Sequence, residues 1–198
     1  MFAAFPTTRP AADELPPWVS LLERFYTRAN LPLPAIVPLK KEEVPAPYQR
    51  LLVHSNDMTP TLEGFYGEPM RITVLNRERE PGIYLREVIL AAARARRPVE
   101  YGAIRIWLDR LPEPARLRVL EERHPLGNIL QTEQLPHLSW PQAFFQVNAD
   151  AHMSRVLELR QPGTLFGRRN LLLTGDRRLL AEVLEVLAPV QEFKHPSS

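Results

Sequence analysis

The sequence has no cysteine, which excludes disulfide scaffolds, thiolate metal sites and a cysteine nucleophile together. It also has no excess of one charge sign. With 25 basic and 23 acidic residues interspersed, the net charge of +2 gives neither a stripe for nucleic acid nor a patch for an anionic membrane. No run of about 18 apolar residues occurs, so no membrane-spanning helix is expected. Residues 1–17 lack a basic segment followed by an apolar run, and a cytoplasmic protein is expected on that ground. A glycine-rich phosphate loop and a serine nucleophile elbow are missing. His54, His124, His137, His152 and His195 include no pair at metal-ligand spacing. Neither a metal nor an organic cofactor is therefore expected. Lysine is scarce as well, since only Lys40, Lys41 and Lys194 contribute to the 25 basic residues. An arginine excess suits planar, bidentate carboxylate binding, and it suits a compositional bias of the source equally well.

What is present suffices for one core: 198 residues at 44% hydrophobic content bury one substantial domain and not two. The 21 prolines crowd the first quarter, at Pro6, Pro10, Pro16, Pro17, Pro32, Pro34, Pro38, Pro45 and Pro47. Residues 1–47 thus read as a Pro-rich arm that cannot form a sheet interior. Residues 48–190 form the domain and residues 191–198 a tail. Within the arm, Val19, Leu22, Phe25 and Tyr26 recur at helical spacing, predicting one short helix over residues 18–28 that packs on the domain as an outer layer.

In the domain, Leu51 and Leu52 lie in a short helical run. The oxygens of Ser55, Asn56, Asp57 and Thr59 then precede a second helix carrying Leu62 and Phe65, ended by Gly67. Alternation predicts strands over residues 70–74, 83–90 and 99–108. An amphipathic helix follows over residues 114–123, and further strands are predicted over 144–148, 156–159 and 169–173. Residues 179–187 satisfy helical propensity better than strand propensity, and local evidence makes them a helix. Strands, then a helix, then strands argue for an α+β domain with a mainly antiparallel sheet.

Three charged features stand inside apolar runs. Arg86 shares a strand face with Tyr84, Val88 and Leu90, where a guanidinium must find an anion. Either the protein meets that need, through a partner such as Glu87 or simple exposure at a sheet edge, or the carboxylate of a ligand does. Glu185 shares a face with Ala181, Val183 and Leu187 if its segment is a strand, and desolvation there raises a carboxyl pKa. Glu182 occupies the equivalent place on the opposite face, and parity does not choose between them. Gly167-Arg168-Arg169 opens a strand, and its two arginines point to opposite faces. Pro125-Leu126-Gly127 marks a turn whose backbone N–H groups are available to an anion.

Asp57-Met58-Thr59, Tyr84-Leu85-Arg86-Glu87, Pro125-Leu126-Gly127, Gly167-Arg168-Arg169 and Glu185 four residues before Pro189, in this order and spacing, resemble the chorismate lyase family, including its divergent branch. The resemblance spans residues 51–189. It implies a six-stranded antiparallel sheet with helices packed on one side, and helical flaps over a buried ligand pocket. It further implies a strand over residues 179–187, against the local reading. The implied activity is cofactor-independent elimination of pyruvate from chorismate to leave 4-hydroxybenzoate. In that reading Arg86 binds the ring carboxylate with backbone N–H groups at Met58 and Leu126, Gly127 belongs to the same turn, and Glu185 holds the 4-hydroxyl. Chorismate is a dianion, so a second cation is expected, and electrostatics offers Arg168 or Arg169. A monomer is expected.

The competing class is a non-catalytic binder of small aromatic acids, because the UTRA effector-binding domains of GntR-type regulators resemble the same fold. Those regulators carry a winged helix-turn-helix in front. The Pro-broken arm here has no basic recognition helix, which speaks against nucleic-acid binding.

Overall fold

Residues 83–92, 97–107 and 179–187 are apolar on both faces, and a segment buried on both faces belongs in the middle of a sheet. A computed structural model describes residues 19–190 and places them there. The strands are β1 (Ile36–Leu39), β2 (Met70–Glu80), β3 (Ile83–Ala92), β4 (Arg97–Trp107), β5 (His137–Asn148), β6 (Thr164–Thr174) and β7 (Leu179–Leu187). They form one antiparallel sheet in the order β1-β5-β6-β7-β4-β3-β2. The helices are α1 (Ser20–Arg28), α2 (Tyr48–Leu52), α3 (Met58–Tyr66), α4 (Glu113–Leu120), α5 (Leu126–Thr132) and α6 (Ala151–Val156). Trp18, the first four prolines of the arm and the tail 191–198 lie outside the described residues.

The α+β class and the antiparallel sheet are as expected, with three corrections. The sheet has a seventh strand, β1, supplied by the arm. Pro38 fits there because β1 is an edge pairing only with β5, where a missing N–H costs no ladder bond. Helices cover both faces of the sheet rather than one. On one face Leu21, Leu22, Phe25 and Tyr26 of α1, with Met153 of α6, pack on Leu85, Ile89, Tyr101, Ala103, Leu184 and Val186. On the other, Ala115 and Val119 of α4 and Leu126, Ile129 and Leu130 of α5 pack on Tyr84, Ile104, Ile106, Ala181 and Val183. Strands apolar on both sides need a cover on both sides. Finally, residues 156–159 are not a strand: Val156 ends α6, whose start is capped by Asp150 accepting from the Met153 backbone N–H at 2.7 Å. Leu157 then turns into the core.

Residues 179–187 are strand β7, between β4 and β6, and not the helix that local propensity favours. Burial of eight of its nine residues against two neighbouring strands outweighs a propensity difference of a few tenths of a kcal/mol per residue. The approach of β6 to β7 depends on Gly167. A Cβ there would lie 2.4 Å from the Glu185 carbonyl oxygen and 2.6 Å from the Phe145 ring. Gly167→Ala must therefore displace backbone, and a loss of about 1 to 3 kcal/mol is expected. For a chain of this size that lowers the thermal midpoint by roughly 2 to 12 °C, measurable by calorimetry. An unchanged midpoint would mean that β6 and β7 are not so closely apposed.

Candidate functional site

The face carrying Arg86 forms the floor of a cavity. Three rows cross the sheet beneath it: Arg86, Ile104, Val183 and Asn170; then Val88, Gly102, Glu185 and Arg168; then Leu90, Glu100 and Leu187. The roof is the start of α3, with Met58 and Thr59, and the start of α5, with Pro125, Leu126 and Gly127. Gly127 lets the two helices meet, since a Cβ there would sit 3.2 Å from Thr59 Oγ1. The cavity volume is about 60 Å³. At about 10 to 15 Å³ per water, several waters fit.

Arg86 is 1% exposed, and its Nε and Nη1 have no hydrogen-bond partner among the described residues. Glu87, the partner named on sequence grounds, is eliminated. Glu87 faces the opposite side of the sheet, where it accepts from Tyr101 Oη at 2.6 Å and Asn76 Nδ2 at 2.5 Å and pairs with His152 Nε2 at 2.8 Å. Burial lowers the Arg86 pKa to about 10, which leaves it a cation at neutral pH. Tyr84 and Glu122 act on it electrostatically, yet no carboxylate of the described residues forms an ion pair with it, and a buried cation with free donors calls for an anion.

Glu185 is 5% exposed and lies in the same cavity, two strands and one row from Arg86. It accepts from Arg168 Nε at 2.5 Å. Burial holds its pKa above the usual carboxylate range, with the Arg168 charge and hydrogen bond pulling the other way, and the two side chains meet at 2.5 Å. Glu182 lies on the other face and pairs with Arg105 at 3.1 Å and Arg169 at 2.9 Å, so the parity left open by sequence resolves to Glu185.

Neither arginine of the doublet lines the cavity. Arg169 is committed to Glu182. Arg168 gives Nη1 to the carbonyls of Leu52 and His54, at 3.2 and 3.1 Å, and Nη2 to that of Asn56 at 3.1 Å. It thereby pins the loop between α2 and α3 to the sheet. The expected second cation for a dianion is thus not supplied by either. That loop has a second anchor at Asp57, whose Oδ2 meets His137 Nε2 of β5 at 2.7 Å, a contact that raises the His137 pKa.

Met58, Arg86, Leu126, Gly127 and Glu185, all singled out by sequence, converge on this one cavity. Sequence reasoning passed over Glu100 and Asn170, which also line it with unpartnered Oε2 and Oδ1 atoms. The signal for Glu100 was present: it is a charged residue between Val99 and Tyr101 in a strand, the pattern that drew attention to Arg86.

No protein-family model and no curated protein matches the sequence. Solved structures do. The effector domain of PhnF from Mycobacterium smegmatis superposes with a TM-score of 0.50 at 9% identity, covering 76% of this chain and 91% of that one. YydK from Bacillus subtilis, described as a possible transcriptional regulator, gives a TM-score of 0.50 at 11% identity, with 88% of this chain and 96% of that one covered. A gene product from Staphylococcus aureus gives 0.50 at 9% identity, over 70% and 92%. At these identities the likeness concerns fold alone, and the chain has a UTRA-like fold.

Proposed function

We propose that the protein is a chorismate lyase, eliminating pyruvate from chorismate to leave 4-hydroxybenzoate. The observation that carries this reading is a buried, unpaired guanidinium, Arg86, facing one end of a cavity whose other end holds Glu185. In it, Arg86 takes the ring carboxylate in a bidentate contact, supported by the first-turn N–H groups of Met58 and Leu126, which have no partner within their helices. Glu185 accepts from the 4-hydroxyl. Gly102, with no side chain, lets the ring approach the floor between Val88 and Glu100.

The reaction asks little of the protein, because loss of the C4 hydrogen and of the enolpyruvyl group creates an aromatic ring. Positioning and charge placement supply the acceleration. The C4 proton passes either to Glu185 or, within the substrate, to the enolpyruvyl methylene. Among the described residues Arg86 is the one cation lining the cavity, which suits the monoanionic product better than the dianionic substrate. Product release is therefore expected to be slow.

The second reading is a non-catalytic binder of the same ring acids, favoured by the likeness to regulator effector domains. Incubation of chelated, desalted protein with chorismate separates the two. Equimolar pyruvate and 4-hydroxybenzoate, undiminished by chelation, are expected for the lyase. Binding of 4-hydroxybenzoate with chorismate left intact identifies the binder, and activity restored only by a divalent ion contradicts the cofactor-independent mechanism.

A further inference from the structure

Glu100 is 3% exposed, lines the cavity and leaves Oε2 without a hydrogen-bond partner among the described residues. A buried, unpartnered carboxyl costs free energy that a purely structural residue would not be expected to retain. Its position relative to Glu185 is set by register. Gly102 of β4 pairs with Glu185 of β7, and Glu100 is two residues from Gly102, so the two glutamates are diagonal neighbours about 7 to 8 Å apart at their backbones. Between them Gly102 has no side chain. A Cβ there would lie 3.3 Å from Glu100 Oε1 and 3.2 Å from Val88 Cγ2, so the Glu100 carboxyl leans over Gly102, toward the place of the ring.

From this placement we propose that Glu100 forms a second oxygen subsite beside the one at Glu185, so that the cavity selects ring carboxylates bearing oxygens on two adjacent carbons. This rests on the ring-carboxylate reading of the cavity and extends it. Chorismate meets the requirement, with an ether oxygen next to its hydroxyl. The protonation states suit the task. Burial and the neighbouring charge of Glu185 push the Glu100 carboxyl well above the usual range, against the opposing pull of Arg168, a direction that favours the neutral form. A neutral carboxyl donates to an ether or hydroxyl oxygen, and its second oxygen accepts from a hydroxyl. Glu185, paired with Arg168, accepts only.

The test is calorimetric titration of the full chain with benzoate, 4-hydroxybenzoate and 3,4-dihydroxybenzoate, for wild type, Glu100→Gln and Glu100→Leu, with thermal midpoints to check folding. The dihydroxy acid is expected to bind wild type about tenfold more tightly than the monohydroxy acid. Glu100→Gln, whose amide still donates and accepts, keeps most of that advantage, and Glu100→Leu removes it while 4-hydroxybenzoate binds within about threefold of wild type. Equal affinities in wild type, or an advantage that survives in Glu100→Leu, overturn the subsite alone. The wild-type comparison decides even if the leucine variant fails to fold. If none of the three acids binds wild type, the ring-carboxylate reading fails and the subsite with it.

Discussion

Arg86→Ala is expected to weaken 4-hydroxybenzoate by about 2 to 5 kcal/mol, roughly thirty- to several-thousand-fold, because the ligand carboxylate then lies desolvated and unpaired. Benzoate, with the same carboxylate, should lose as much. The effect on the empty protein runs the other way. Arg86 Nε and Nη1 are orphaned there, so Arg86→Met, which keeps the volume of the stem and removes the stranded donors, is expected to leave the thermal midpoint unchanged or raise it. Lost affinity in a variant of undiminished stability is the signature of a ligand-binding charge. A fall in both would instead make Arg86 a structural residue whose partner has been overlooked.

Glu185→Gln keeps the shape of the side chain and an oxygen to accept from Arg168, while removing the charge and the basic group. Loss of a hydrogen bond to a charged acceptor costs about 1.5 to 3 kcal/mol, so 4-hydroxybenzoate should weaken roughly ten- to a hundredfold. Benzoate lacks the hydroxyl and should bind as before. Turnover of chorismate distinguishes the two proton routes. If Glu185 is the base at C4, the rate falls by roughly a hundred- to ten-thousandfold, as general-base catalysis is worth. If the hydrogen moves within the substrate, the fall follows the weakened binding only. A variant that weakens both ligands equally with turnover intact would remove Glu185 from the hydroxyl end.

Much of this site was legible in the sequence because charged residues inside strands are conspicuous and strand parity assigns them a face. Arg86 and Glu185 were found in that way, together with the family resemblance, and Glu100 was open to the same argument. Parity could not decide between Glu182 and Glu185, since both faces of β7 are apolar; the partners Arg105 and Arg169 decided it. Nor could it show that Arg168 is consumed by three carbonyls and Glu185, because that depends on the path of a loop more than a hundred residues earlier in the chain. The helical reading of residues 179–187 failed for a related reason. Propensity is a local quantity, whereas burial between β4 and β6 is set by residues far away in sequence. Residues 156–159 read as a strand because they are apolar, but Asp150 upstream caps a helix that runs to Val156. The edge strand β1 escaped notice because Pro38 argues against strands in general and only its edge position makes it permissible.

The central claim is that Arg86 and Glu185 hold opposite ends of one ring, and a crystal structure of the complex with 4-hydroxybenzoate tests it most directly. The account predicts the carboxylate in a bidentate contact with Arg86 beneath Met58 and Leu126, the ring over Gly102, and the hydroxyl donating to Glu185. A ring bound in the reverse orientation, or at any place that leaves Arg86 without an anion, would contradict it.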